Sequence, residues 1–100
     1  LVLMGMGGNV GIGTDSPSTL LEARANTATT DAILTLRQLG SGDSSIDFQT
    51  STSPFGFCMG VDGSDSDSFK ISTGLGNVGT DTRLTITSGG DVYIGNSIYK

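Results

Sequence analysis

GLGNVG, residues 74–79, has the Gly-x-Gly-x-x-Gly spacing with which many proteins cradle a dinucleotide. That chemistry needs the glycines to leave a strand and open a helix, so that free N–H groups and the helix dipole meet the pyrophosphate. The motif instead runs into TDTRLTITSGGDVYIG, in which Leu84 and Ile86 alternate with Thr85 and Thr87. Period two with β-branched residues predicts a strand. Phe69-Lys70-Ile71-Ser72 before the motif alternates as well, and no acidic residue comes after Asp91 to hold a ribose. The glycines therefore read as a loop joining strand to strand, and no cofactor is expected.

The other residues that could do chemistry are sparse. Asp62, Asp65 and Asp67 crowd one loop, and oxygen-rich loops can bind Ca²⁺. Gly63 comes too early for an EF-hand and no Glu stands at the closing position, so a solvated hairpin loop is expected, with these three as the candidate ligands should a cation bind. Cys58 is the single cysteine and the chain has no His, so neither an internal disulfide nor a Ser-His or Cys-His pair can form within it. Packing as a small hydrophobe is the expected role of Cys58, with an intersubunit contact as the alternative. Glycoside hydrolysis would need two facing carboxylates, and only arbitrary pairs such as Asp43 with Asp47, or Asp62 with Asp67, could be nominated. Tyr93, Tyr99, Phe55 and Phe57 are the rings suited to stacking on a sugar, although core packing is the commoner fate of Phe.

Short strands must position all of these groups. STLLEAR (18–24), AILTLRQL (32–39), SIDFQT (45–50), FGFCMGV (55–61), FKIST, RLTIT and DVYIG each read as strands. GSGD (40–43), Ser53-Pro54 and DGSDSDS (62–68) read as turns or breaks between them. In AILTLRQL, Ile33, Thr35 and Arg37 would lie on one side and Leu34 and Leu36 on the other. An all-β domain of short strands and Gly/Ser/Asp-rich loops is expected, and 100 residues allow one such domain. Sixteen glycines and abundant Ser and Thr pair backbones well but fill a core poorly. The missing core is expected to come from another copy of the chain.

Net charge is −5, and the five basic residues, Arg24, Arg37, Lys70, Arg83 and Lys100, are scattered. No phosphate-neutralising patch exists, so nucleic acid is not an expected partner. No run of 18 apolar residues exists, so no membrane insertion is expected. LVLMGM, residues 1–6, is short and uncharged for a signal peptide and reads as a strand arriving from a preceding module.

GGNVGIGT (7–14) and GGDVYIGN (89–96) align without a gap. In each, Gly-Gly with Asn or Asp supplies a positive-φ turn that launches a strand. Val10 and Ile12 share one face of that strand, as do Val92 and Ile94, with Gly11 and Tyr93 on the other. The repeats divide the chain into an N-terminal junction, 1–17, and a β-rich module, 18–100, that ends in the second junction.

GGNVGIGTDSP resembles the GNVGIGTTSP element of bacteriophage tail-fibre proteins and related bacterial surface fibres. SFKISTGLGNVGTDTRLTITSGGDVYIG resembles the segment that commonly precedes such an element; together the two pieces cover about two-fifths of the chain. Asp15 departs from the usual second Thr, and Tyr93 and Asn96 stand where Gly and Thr are usual. The resemblance implies a homotrimer with intertwined β-structure, often upstream of an intramolecular chaperone domain. It implies a structural or adhesive module of a virion tail fibre, extracellular, joined to adjoining fibre modules and meeting a host surface glycan or protein receptor, without enzymatic activity. A bacterial extracellular fibre or adhesin is the alternative, and a polysaccharide-degrading tailspike a third reading. A shared trimer core would draw on Val10, Ile12, Ile33, Leu36, Ile71, Leu84, Ile86, Val92 and Ile94.

Overall fold

The computed structural model describes residues 8–50, 55–95 and 97–99. The strand expected at LVLMGM and the break expected at Ser53-Pro54 lie outside the described residues. Among those described there is no helix, and the protein is all-β. Two compact units divide between Thr35 and Leu36.

The first unit holds β1 (Val10–Ile12) and β2 (Leu21–Ala23), paired in parallel with Val10 opposite Leu21 and Ile12 opposite Ala23. Parallel neighbours are usually joined by a long crossover, but here residues 13–20 suffice. Side chains bind that link together. The Asn9 amide donates to the Pro17 carbonyl at 3.2 Å. Glu22 accepts from the backbone N–H of Ser18 at 2.7 Å and pairs with Arg24 at 2.7 Å. Of the strand expected over STLLEAR only Leu21–Ala23 forms, because the bonds at Ser18 tie the preceding residues into a turn.

The second unit is one antiparallel meander. Its strands, each hydrogen-bonded to the next, are β3 (Ser44–Gln49), β4 (Gly56–Asp62), β5 (Ser68–Ser72), β6 (Thr82–Ile86), β7 (Val92–Ile94) and β8 (Ser97–Tyr99). Five of the expected strands are therefore present, built where apolar and polar residues alternate. The expected strand over AILTLRQL is not. No backbone-to-backbone hydrogen bond joins residues 25–43 to anything among the described residues. The alternation there is sound, but a strand exists only when a neighbour takes its N–H and C=O groups, and no described residue does so here.

The repeated element keeps one backbone shape in both copies. Gly8 and Gly90 have φ of 73° and 95°, and Gly13 and Gly95 have φ of 76° and 60°. Each three-residue strand is thus bracketed by glycines in the left-handed region, where a side chain would be strained.

GLGNVG lies in the loop between β5 and β6, as its flanking alternation predicts. The loop is cross-tied: Thr73 N–H donates to Asp81 C=O at 3.1 Å, and Gly74 N–H to Thr80 C=O at 3.2 Å. It folds back over the sheet. The Gly76 N–H donates to Asp47 at 3.1 Å, and a Cβ added to Gly79 would stand 2.7 Å from the Asp62 carboxylate. Val78, from the middle of the loop, has no solvent exposure, and neither has Cys58 of β4. These two are the buried apolar residues of the described chain. Val78→Ala removes two methyl equivalents from a packed site, so urea denaturation should show a loss of about 2 kcal/mol. A loss no greater than that at an exposed Val would mean that the loop does not pack.

Candidate interaction surface

Alternation along the strands divides the second unit's sheet into two faces of opposite character. Asp47, Cys58 and Ser72 lie opposite one another across β3, β4 and β5 on the first face. Ser45, Gly60, Lys70, Thr85 and Tyr93 make the next row, and Asp62 pairs with Ser68. This face is polar, and it is the covered one: Cys58, Asp62, Ser68, Lys70 and Ser72 are all buried.

At its centre Lys70 Nζ lies 2.7 Å from Asp62 Oδ2 and 2.7 Å from Asp65 Oδ2. Asp62 also accepts from the Ser64 N–H at 3.0 Å and the Ser64 hydroxyl at 2.7 Å. The hydrogen bond from Lys70, then those from Ser64, hold the Asp62 carboxyl down from 3.8 to about 2 despite its burial. Burial alone would lower the Lys70 ammonium, but its bonds to Asp62 and Asp65 outweigh that and raise it. Both groups are thus held in their charged forms.

The sequence assigned Asp62, Asp65 and Asp67 to a solvated loop. Asp65 and Asp67 do lie in an exposed turn, but Asp62 closes β4 and is buried. The position a cation would take between Asp62 and Asp65 is filled by the Lys70 ammonium, and no metal-binding group of three or more His, Cys, Asp or Glu occurs among the described residues. Cys58 packs as expected; burial pushes its thiol up, a hydrogen bond with Ser45 opposes this, and Asp47 adds to the rise. A thiol held protonated is a poor nucleophile.

The second face is apolar and open. Ile46, Met59, Ile71, Leu84 and Ile94 form one continuous row across five strands. Val61, Phe69, Ile86 and Val92 form a second row, and Phe48 opposite Phe57 begins a third. No charged residue interrupts them. None of these side chains is buried: Phe48 is 52% exposed, Phe57 51% and Ile94 52%.

Of the residues nominated from sequence for a shared core, Ile71, Leu84, Ile86, Val92 and Ile94 fall together on this face. Val10 and Ile12 lie on β1, in the other unit, with Ile12 exposed. Ile33 and Leu36 are exposed and lie in no strand. Tyr93 is on the polar face beside Thr85, half-buried, and Phe55 is exposed. The nomination missed the β3 and β4 members of the open face, although the alternation of SIDFQT and FGFCMGV carried them. It also missed Lys70, whose partner Asp62 stands across the β4–β5 turn.

No protein-family model matches the chain, and neither a curated protein nor a solved structure matches it.

The ion pair sets a pH response. The Asp62 carboxyl sits below its unfolded value, so its stabilisation is complete above about pH 4 and is lost as pH falls through about 2. Lys70→Met leaves Asp62 buried without its counter-charge and should cost about 3 kcal/mol at pH 7. Without Lys70 the unpaired carboxyl prefers its proton, so acidification toward pH 4 should raise the melting temperature of the variant while leaving that of the parent level. Parallel pH profiles would contradict the pairing.

Proposed function

We propose that this chain is a structural, adhesive module of a viral tail fibre, a homotrimer in the extracellular virion that serves host-cell attachment. One observation carries the reading: the sheet closes its polar face with its own loop and, among the described residues, leaves its apolar face uncovered. Phe48, Phe57 and Ile94 are each about half exposed on that face, and Val61 and Ile86 are 38% exposed. Isolated soluble domains seldom expose a contiguous apolar patch beyond roughly a few hundred Å², and larger ones mark interaction sites.

An occupant that matches an uncharged, aliphatic and aromatic sheet face is the same face of another copy. Three copies round an axis would turn these rows inward, which supplies the core a single chain lacks. The 73–81 loops and the polar faces would then point outward, where a fibre meets solvent and receptor. The viral assignment rests on GGNVGIGTDSP and on the segment 68–95, which resemble tail-fibre elements. Under this proposal the chain meets adjoining modules end to end and a host glycan or protein receptor at its surface.

Sedimentation at micromolar concentration should give a trimer, and a stable folded monomer would overturn the reading. Ile94→Asp places a charge in the shared core once per copy and should abolish assembly, since an unpaired buried charge costs several kcal/mol. Tyr93→Lys, at the adjacent residue and on the opposite face, should leave the trimer intact. The reverse outcome would mean that the wrong face had been assigned to the interface.

A further inference from the structure

The segment Ala32–Gln38 has the marks of a strand that has lost its partner. It alternates, it carries β-formers, and the boundary between the two compact units falls inside it, between Thr35 and Leu36. None of its backbone groups bonds to backbone among the described residues. Ile33 is 62% exposed and Leu34 67%. A hydrophobic, β-prone segment left open in this way is an aggregation hazard unless something covers it. At the margin of the second unit's sheet, β3 presents the complementary defect. Among the described residues it pairs with β4 on one side only, and none bonds by its backbone to Ser44–Phe48 from the other side. Free edges of this kind are templates for strand addition.

The two fit in one register. With Leu36 opposite Ile46 in an antiparallel ladder, Leu34 falls opposite Phe48, and both leucines prolong the open apolar face by one strand. Thr35 and Arg37 then fall on the polar face, with Arg37 diagonal to Asp47 and within reach of it. Arg37 is the only charged residue of the segment and Asp47 the only one of β3; they are opposite in sign, and Arg37 has no ion pair or side-chain hydrogen bond among the described residues. A slip by one residue would drive Arg37 into the apolar face. The chain does not satisfy its own edge. Asp43 is bonded instead to the Gly63 N–H at 3.0 Å, and the Leu36 carbonyl to the Ser44 hydroxyl at 2.9 Å, which keeps residues 36–44 out of a ladder.

We propose that Ala32–Gln38 of one copy adds as an antiparallel strand to the free edge of β3 in a neighbouring copy, so that the copies are linked by exchanged strands as well as by packed faces. This rests on the reading that copies of the chain assemble. The test is the double variant Leu36→Cys with Ile46→Cys, oxidised and run without reductant, beside each single variant. Disulfides between chains, giving covalent species up to the full assembly from the double variant alone, are expected. An intrachain disulfide would show that the segment folds back on its own β3 and would overturn the proposal. No disulfide in a particle that still sediments as a trimer would overturn the strand addition and leave the assembly reading standing. A monomer in the unsubstituted protein would remove both. Amide exchange of the unsubstituted protein gives an answer that does not depend on the variants folding. Residues 33–38 should exchange at least about tenfold more slowly in the assembly than in chains diluted to monomer, and equal rates would overturn the proposal.

Discussion

The contact between Lys70 and Asp62, 2.7 Å long and almost free of water, decides how the rest of the second unit is arranged. Removing two charges from water is costly, and their attraction offsets that cost only when the geometry is good and the remaining valences are filled. Here Ser64 fills the Asp62 valences and Asp65 takes a second ammonium hydrogen. The pair lies across the β4–β5 hairpin. Slipping that ladder by one residue would move Lys70 to the side of Met59 and Val61, where neither charge has a partner. The pair thus acts as a register lock. Desolvation offsets much of its Coulombic attraction, so its main effect is on which register forms.

Fixing the register fixes the two faces, and the polar one is built to be covered at close range. Gly56, Gly60, Cys58, Ser68 and Ser72 give it little relief, so the 73–81 loop can approach the backbone. A Cβ on Gly56 would stand 3.2 Å from the Leu75 side chain of that loop. Asp47 and Asp62 meet the loop's own backbone. With that side occupied by a loop that contributes only Val78 to full burial, most of the sheet's large apolar side chains are left on the other. A sheet with one face closed by its own chain and the other unfilled has stability to gain from a second sheet, and the gain grows with each apolar row that interdigitates. In such a chain folding and assembly draw on the same surface.

Much of the sheet was legible because alternation is a local signal. SIDFQT, FGFCMGV, FKIS, RLTI and VYI carry the period of a strand, and each forms one. The covering of the polar face was not legible, because it depends on residues distant in space or hidden by type. Lys70 within FKIST reads as a solvent-facing lysine until Asp62 and Asp65 converge on it from across the turn. Val78 reads as a minor member of a glycine-rich loop, and only the folding of that loop back over the sheet makes it a core residue. AILTLRQL shows the opposite limit. Its pattern is that of a strand, yet the ladder needs a second backbone, and none of the described residues brings one. Nominating Ile33 and Leu36 together for one core conflicted with that pattern from the start, since they point to opposite faces of any strand.

The repeated element separates what a short sequence can dictate from what it leaves to its surroundings. GGNVGIGT and GGDVYIGN impose the same left-handed glycines before and after a three-residue strand. Yet β1 runs parallel to β2, whereas β7 is antiparallel to both β6 and β8. The element therefore encodes a turn, a strand and a turn, and leaves the partner open. Three residues form too few ladder bonds to choose a partner alone, and the bracketing glycines stop the ladder from growing longer. The choice passes to the flanking chain: the Ser18–Glu22–Arg24 bonds in the first copy, and the long alternation of β5 and β6 in the second. A unit that fixes its ends and not its neighbours suits a chain built from modules placed in series, because the same punctuation can close one sheet and begin another.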